Sequence, residues 1–324
     1  MAIHPTAVVH PDAKIDPSSE VGPYAVVGPN VTVGPGCKIW SHAVIEGYVN
    51  FGRDNQVYPF ACIGGAPQDL KYTGEVSWIV IGDGNVFREY VTINPGTKGG
   101  GNYTRIGNEN LIMAYVHIAH DCIIGSNTVI ANCTQLGGHV VVEDAARVSG
   151  MVAIHHFVTI GKMAFVAACA KVSTDVPPFM ITDGFRVRKL NDELLRRRKV
   201  TDDAHQALRK CFRLCYRSDL NRSEALAKVR AEKLDQFEEV AYLVAFLDRG
   251  EGQARRIEGA YQRPAPELRD GRHHQEIGQV LKGDAAQDPA SDDDAGSGGG
   301  GGGAGDDPSA PARSPKPHSG RPRS

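Results

Sequence analysis

Large apolar residues recur at every sixth position over the first half of the chain. One series runs without a missed step from Ile3 to Ile63, a second from Ile81 to Ile93, and a third from Ile106 to Val172. A strict period of six cannot keep one face of an α-helix apolar, because a helix turns once in 3.6 residues. Four residues after most of these positions the chain is small: Ala7, Ala13, Ser19, Ala25, Cys37, Ala43, Ala61, Cys122, Thr128, Ala146, Ala164 and Ala170.

A repeat of six residues is typical of a parallel β-helix. Each short strand turns one large side chain into a narrow interior, a small residue fits each corner, and three strands close a coil of 18 residues. Residues 18 apart should therefore lie above one another at the strand spacing of about 4.8 Å. Two insertions interrupt the repeat, Gly64–Val80 and about Lys98–Arg105. We expect the second, which is rich in glycine, to carry no side-chain chemistry.

The repeat ends at Pro177-Pro178, which predicts a β-helix domain over residues 1–178. A small helical domain over residues 179–250 and a disordered, low-complexity tail over residues 251–324 should follow. The elements expected after the coil are a connector over Phe179–Leu190, a helix capped by Asn191 or Asp192, a helix over about Asp202–Arg217, and one broken helix or two over Ser223–Leu247.

Composition narrows the classes of function only slightly. The net charge is −2, so nothing in the overall charge argues for nucleic acid or a membrane surface. The apolar run Ala241–Leu247 is too short to span a bilayer. The seven cysteines follow no metal-ligand spacing, and Cys37 and Cys122 occupy corner positions where they should be buried. The chain enters the repeat at Ile3 without a signal peptide pattern. We therefore expect a soluble, cytoplasmic protein with no integral membrane segment.

Five histidines cluster within 40 residues of the predicted coil: His117, His120, His139, His155 and His156. The 18-residue coil stacks Gly138 above His120 and His156 above Gly138, and it stacks His139 above Asp121. An imidazole beside a carboxylate is held in one tautomer and acts as a general base at neutral pH. A glycine backbone N–H stabilises an oxyanion. Together these groups suit acyl transfer to a hydroxyl.

Other interpretations of the histidines remain open at this point. Each histidine alone suits an exposed turn, and the whole chain suits a catalytically inactive scaffold. Trimeric β-helix carbonic anhydrases resemble this architecture and bind zinc through histidines. His117 and His120 are three residues apart, however, whereas the second and third histidines of that family are five apart. We predict no metal and no cofactor.

Several motifs together resemble the UDP-N-acetylglucosamine O-acyltransferase family. The resemblance covers about residues 3–248. It rests on the segments His117–Cys122, Gly137–Val140 and Gly150–His155, on the first-insertion motif Gln68–Tyr72, on Asp175–Pro178 and on Tyr216–Ser218. It implies a homotrimer of left-handed parallel β-helices with active sites between subunits. The implied reaction transfers a 3-hydroxyacyl chain from acyl carrier protein to the 3-hydroxyl of UDP-N-acetylglucosamine, which opens lipid A synthesis.

The resemblance also assigns roles to residues. His120 matches the general base, Asp121 its orienting carboxylate and Gly138 the oxyanion donor. The positions expected to bind the sugar nucleotide or the thioester arm are Asp69, Lys71, His117, His139, Gly150, His155, His156, Asn191 and Arg197. The basic run Arg196–Lys199 either receives the acidic surface of acyl carrier protein or forms a solvated helix face.

Three departures from the family pattern bear on substrate choice. His156 replaces a usual glutamine. The connector over residues 184–191 is shorter and more basic than usual, which leaves open a different nucleotide sugar as acceptor. Ala167 and Ala168 occupy a place in the acyl groove where glycines are common, and their extra methyl groups should shorten the preferred acyl chain.

Overall fold

The computed structural model of the chain describes residues 2–249. Within the uninterrupted turns, paired strand residues are 18 apart, as in Val26 with Val44 and Val129 with Arg147. The prediction of a left-handed parallel β-helix followed by a small helical region is confirmed. The predicted tail over residues 251–324 lies outside the described residues.

The strands before the first insertion are β1 (Ala2–Ile3), β2 (Val8–Val9), β3 (Lys14–Ile15), β4 (Glu20–Val21), β5 (Val26–Val27), β6 (Val31–Val33), β7 (Lys38–Ile39), β8 (Val44–Ile45), β9 (Tyr48–Phe51), β10 (Gln56–Val57) and β11 (Cys62–Ile63). Between the insertions lie β12 (Trp78–Ile81), β13 (Val86–Phe87) and β14 (Thr92–Ile93). The later strands are β15 (Tyr103–Ile106), β16 (Leu111–Ile112), β17 (His117–Ile118), β18 (Ile123–Ile124), β19 (Val129–Ile130), β20 (Gln135–Leu136), β21 (Val141–Val142), β22 (Arg147–Val148), β23 (Ala153–Ile154), β24 (Thr159–Ile160), β25 (Phe165–Val166), β26 (Lys171–Val172), β27 (Met180–Thr182) and β28 (Val187–Leu190).

The strands of the described residues form three sheets of 11, 9 and 8 strands, which are the sides of the coil. The first sheet starts at β1, the second at β2 and the third at β3, and each strand is followed by a strand of the next sheet. The turns between them form three corners. The first corner joins the first sheet to the second, the second corner joins the second to the third, and the third corner joins the third back to the first.

The six-residue series fills the interior of the coil. Ile63, Ile93 and Ile118 follow one another up the second sheet, and all three are fully buried. Small corner residues such as Ala43 and Cys122 are fully buried as well. Burial of these columns removes apolar surface from water, which is the main favourable term in folding. The repeated coil therefore rests on one continuous apolar core.

Both insertions end earlier than the sequence predicts. Trp78–Val80 belong to β12, and Tyr103–Arg105 belong to β15. Each of these strands has four residues because a second side chain, Ile79 in β12 and Thr104 in β15, is also fully buried. The insertions lengthen the pairing register: Ile63 pairs with Ile93 at a separation of 30 residues, and Phe87 pairs with Ile112 at 25.

The prediction of a plain connector over Phe179–Leu190 is wrong. Phe165 pairs with Ile181 in parallel at a separation of 16 residues, so the first sheet continues past Pro177-Pro178. The chain then turns back, and β28 pairs with β27 in antiparallel orientation. The sheet extends because Met180 and Leu190 on these strands are apolar and become buried.

Four helices follow in the described residues: α1 (Asp192–Arg197), α2 (Asp202–Tyr216), α3 (Arg222–Ala231) and α4 (Glu238–Asp248). The Asn191 side chain caps α1, and the apolar residues after the coil are confirmed as two helices, α3 and α4. A second core cluster contains Phe179, Leu208, Val229 and Leu243. No helix in this part of the chain is long and apolar enough to cross a membrane.

Candidate active site

His120 and Asp121 lie at the second corner, directly after β17. Ile118 points into the core, so the next residues leave the strand, and Asp121 takes a left-handed backbone conformation with φ of 60°. Nδ1 of His120 lies 2.7 Å from Oδ2 of Asp121. The Asp121 side chain is 1% exposed and that of His120 is 15% exposed. This contact assigns the Nδ1 proton to the bond with the carboxylate and leaves Nε2 of His120 as a proton acceptor.

Gly138 lies against the ring of His120, as the 18-residue register predicts. A β-carbon built on Gly138 would lie 2.5 Å from Nε2 and Cε1 of His120, closer than any real side chain permits. Only glycine therefore leaves room for the imidazole in its observed position. Within the described residues the N–H of Gly138 donates no hydrogen bond. This N–H is a candidate donor to an oxyanion.

His139 follows Gly138 and lies above Asp121. Its Nε2 is 3.7 Å from Oδ2 of Asp121, and its ring stacks on Phe157 with ring centres 4.3 Å apart. Burial lowers the pKa of His139, against a smaller opposite effect of the Asp121 charge. Burial also lowers the pKa of His117, whose Nδ1 lies 2.8 Å from Oγ1 of Thr92. Both imidazoles are therefore neutral at pH 7, because the ordinary pKa of histidine is about 6.5.

The first insertion reaches the same corner. Oδ1 of Asp69 accepts a hydrogen bond from the N–H of Lys71, and the charge of Asp69 acts on His139. Asn94 anchors the start of the loop, because its Nδ2 donates to the carbonyls of Gly65 and Ala66. The ammonium group of Lys71 is exposed and forms no ion pair within the described residues, so it is available to an anionic ligand.

Thr97 is a site residue that the sequence interpretation missed. Its N–H donates to Oδ1 of Asp121 at 2.8 Å, and its hydroxyl donates to Oδ2 at 2.7 Å. Gly100 also lies against Asp121. The prediction that the second insertion carries no side-chain chemistry is therefore wrong. The available signal was a threonine placed directly before a glycine run in the coil below His120.

The remaining predicted residues fall into two groups. His155 and His156 lie one coil beyond His139 at the second corner, exposed, with ring centres 3.8 Å apart. Other predicted residues lie elsewhere in the chain. Gly150, Ala167 and Ala168 are at the first corner, and Asn191 is at the third corner, where its Nδ2 donates to the Met163 carbonyl. Arg197 is exposed on α1 and pairs with Glu193. A single chain does not bring this second group to His120.

Three side chains at the second corner have the composition of a metal site. Ligand atoms of His120, Asp121 and His139 all lie within 4.8 Å of one another. Oδ2 of Asp121, however, already accepts hydrogen bonds from His120 and Thr97. The same atoms thus serve an oriented imidazole, and the absence of a resident metal stays a prediction.

Known proteins similar to this chain share both parts of the fold. A family model described as Udp N-acetylglucosamine O-acyltransferase, Domain 2, matches residues 175–257, and the model for the bacterial transferase hexapeptide (six repeats) matches residues 6–47 and 103–138. An acyl-[acyl-carrier-protein]--UDP-N-acetylglucosamine O-acyltransferase of Anaeromyxobacter sp. (strain Fw109-5) is 46% identical over 249 residues, covering 76% of this chain and 96% of the relative. The chain belongs to the UDP-N-acetylglucosamine O-acyltransferase family.

Other members of the family agree with this assignment. The enzyme of the same name from Verminephrobacter eiseniae (strain EF01-2) is 46% identical over 209 residues, covering 63% of this chain and 80% of the relative. The solved structure of LpxA from Acinetobacter baumannii superposes with a TM-score of 0.74 at 34% identity, covering 77% of this chain and 97% of that one. The UDP-N-acetylglucosamine acyltransferase LpxA from Bacteroides fragilis superposes with a TM-score of 0.72 at 37% identity, covering 75% and 95%.

Proposed function

We propose that this chain transfers a 3-hydroxyacyl group from acyl carrier protein to the 3-hydroxyl of UDP-N-acetylglucosamine, the first step of lipid A synthesis. The observation that carries the proposal is the contact of 2.7 Å between His120 and the buried carboxylate of Asp121, with Gly138 against the same ring. Membership of the family supplies the substrate class. The donor and the nucleotide sugar place the reaction in the cytoplasm.

The chemistry follows from the orientation of His120. Its Nε2 takes the proton of the acceptor hydroxyl as the hydroxyl oxygen attacks the thioester carbonyl. Asp121 stabilises the imidazolium that forms, and the Gly138 N–H donates to the developing oxyanion. The tetrahedral intermediate collapses, the carbon–sulfur bond breaks, and the imidazolium returns the proton to the leaving thiolate. No step of this sequence uses a metal or a cofactor.

The surrounding polar groups suit binding of the two substrates. The exposed ammonium of Lys71 is positioned for an anionic group of either substrate, and the neutral imidazoles of His117 and His139 can donate or accept hydrogen bonds. The basic run Arg196–Lys199 suits the acidic surface of acyl carrier protein by charge. The hairpin of β27 and β28 presents Phe185, 86% exposed, and Arg186 in the region where the connector differs from the family pattern. This difference favours a test of other nucleotide sugars.

We also propose that the active unit is a homotrimer with sites between subunits. Within one chain the predicted ligand-binding residues lie at all three corners, so a complete site requires a second chain. The first corner carries an apolar ridge, defined here as Tyr24, His42, Phe60, Tyr90 and Tyr115, with neighbouring ring centres 4.7–5.1 Å apart. Continuous exposed apolar surface of this kind marks an interaction site. A straight ridge with the repeat of the coil suits the equally regular surface of another copy.

Assay of the purified full chain against a panel of substrates tests the proposed function. Acyl carrier proteins loaded with hydroxyacyl groups of several lengths are paired with several UDP-sugars, and products are identified by mass. We expect transfer to UDP-N-acetylglucosamine, with shorter acyl groups preferred because of Ala167 and Ala168. Preference for another UDP-sugar would replace the acceptor, and no transfer to any acceptor would refute the proposal. Zinc analysis of the same sample tests the prediction of no metal.

A further inference from the structure

We propose that Thr97 and the glycine turn after it form a positioning device that holds Asp121 as an oriented, water-excluded carboxylate behind His120. This inference deepens the proposed function, on which it rests, by assigning the second insertion to the catalytic base. Thr97 and Gly100 contact neither substrate nor the reacting atoms, so both act through Asp121.

Three hydrogen bonds define the position of the Asp121 carboxylate. Oδ1 accepts from the N–H of Thr97, while Oδ2 accepts from both the Thr97 hydroxyl and Nδ1 of His120. The backbone of Asp121 is held as well, because its N–H donates to Oγ1 of Thr104 at 2.9 Å. A buried carboxylate is stable only when hydrogen bonds replace the lost water. Thr97 supplies two of the three donors, and the third is the catalytic imidazole itself.

The turn after Thr97 closes over the carboxylate. The Thr97 carbonyl accepts hydrogen bonds from the N–H groups of Gly100 and Asn102, which folds Lys98–Gly100 into a 3-10 turn. A β-carbon on Gly100 would lie 2.0 Å from Cγ of Asp121, so the backbone of the turn packs directly on the carboxylate. Threonine at the start of a helical turn usually caps it with its side chain. Thr97 makes no such cap, since its hydroxyl is committed to Asp121.

The first insertion holds this turn in place. Oε1 of Glu75 accepts the N–H of Lys98 at 3.1 Å, and Oε2 accepts the N–H and hydroxyl of Thr73. These bonds, with that of the Thr73 N–H the largest, lower the pKa of Glu75 to about 2. The carboxylate therefore stays charged at neutral pH and joins the two insertions. The loop carrying Asp69 and Lys71 is thus tied to the turn that covers Asp121.

Replacement of Thr97 tests the proposal directly. Thr97→Val keeps the side-chain shape and removes the hydroxyl, whereas Thr97→Ser keeps the hydroxyl. We expect Thr97→Val to lower kcat by about 10- to 100-fold, the loss of a hydrogen bond to a charged group, with KM for both substrates unchanged. Thr97→Ser should restore turnover. In an Asp121→Asn background the Val substitution should change kcat by less than about twofold, because both changes act on one interaction.

Thr128→Val is the matched control. Thr128 is equally buried and its N–H and hydroxyl both donate to Oδ1 of Asn110, at the third corner away from His120. This variant should lose stability and keep kcat. If Thr97→Val does not fold, Thr97→Cys fills similar space with a weaker donor and should also lose turnover. Normal kcat in the folded variant, or full additivity with Asp121→Asn, overturns the positioning role. Failure of the proposed function is distinct, since the wild-type chain would then transfer no acyl group.

Discussion

Gly138 stacks on His120 so closely that the position of its missing β-carbon lies 2.5 Å from Nε2 of the imidazole. The two residues are 18 apart, one turn of the coil, and come from successive turns of the second corner. The contact places a backbone N–H and a general base in the same position relative to one another that acyl transfer requires. The coil register therefore determines the catalytic geometry.

Gly138→Ala should abolish most of the activity. The added methyl group displaces the His120 ring from Asp121, and the expected fall in kcat is at least about 100-fold. Gly28→Ala is the control, because its nearest contact would be 3.3 Å from Glu46 in an early coil away from the site. Steady-state kinetics with both variants, alongside thermal melts, measures the effect. Equal turnover of the two variants would contradict the assigned role of Gly138.

The glycine turn supplies a second matched pair. A methyl group on Gly100 collides with Asp121, whereas one on Gly99 would meet nothing closer than Oγ1 of Thr97 at 4.0 Å. We expect Gly100→Ala to lower kcat by about tenfold or more through displacement of the carboxylate, and Gly99→Ala to leave it unchanged. The comparison uses initial rates at saturating substrate. Activity retained by Gly100→Ala would show that the turn does not control Asp121.

The buried histidines should make the folded state less stable in acid. Burial lowers the pKa values of His117 and His139, so the unfolded chain binds more protons than the folded chain in this range. The stability due to the neutral imidazoles is fully present above the unfolded pKa of about 6.5, and it is lost as the pH falls through the lower folded values. The Tm should therefore fall between about pH 7.5 and about pH 5.5.

Replacement of both histidines measures their share of this effect. The fall in Tm over that pH interval should be smaller in the His117→Gln, His139→Gln variant than in the wild type. His4→Gln, which changes an exposed histidine near the N-terminus, is the control and should leave the fall unchanged. An undiminished pH dependence in the double variant would show that these imidazoles do not cause it.

Asn191→Ala should act mainly on stability. The side chain is 5% exposed, its Oδ1 accepts from the N–H of Leu194, and its Nδ2 donates to the Met163 carbonyl. Loss of the cap and of the buried bond should lower the free energy of unfolding by about 2 kcal/mol. Asn221→Ala removes an exposed cap of α3 and should cost about 1 kcal/mol. A normal Tm with a raised KM for the nucleotide would instead support the predicted ligand contact.

The apolar ridge should maintain the oligomer. Tyr90→Ser with Tyr115→Ser removes two stacked rings from the first corner without touching the core, since both side chains are about half exposed. We expect sedimentation to show dissociation and the activity to fall with it. Trp40→Ser, which removes an exposed ring outside the ridge, is the control. An intact trimer in the double variant would place the interface elsewhere.

Most of the coil and the relation of His120 to Gly138 could be predicted from sequence because both depend on a fixed period. Every residue of the six-residue series from Val21 to Val172 is buried, and the 18-residue register correctly stacked His139 on Asp121. Insertions break the period, so nothing in the spacing showed where Thr97 lies. Its contact with Asp121 depends on the path of a glycine turn, which the sequence does not specify by period.

The end of the coil was mispredicted for a similar reason. Pairing of Phe165 with Ile181 is two residues shorter than a full coil, so the period fails although the sheet continues. The predicted sites of Gly150, Ala167, Asn191 and Arg197 depended on resemblance alone. One chain holds them apart from His120, and only contacts between chains can decide whether they join its site.

The turnover of the full chain with His120→Ala, using hydroxyacyl-loaded acyl carrier protein and UDP-N-acetylglucosamine, tests the central claim most directly. His42→Ala, which removes a ring of the ridge far along the coil, controls for loss of an imidazole. The account predicts that His120→Ala keeps the wild-type Tm and oligomeric state and loses turnover by about 100-fold or more, while the control retains its chemistry per intact oligomer. Wild-type turnover in folded His120→Ala protein would contradict the account.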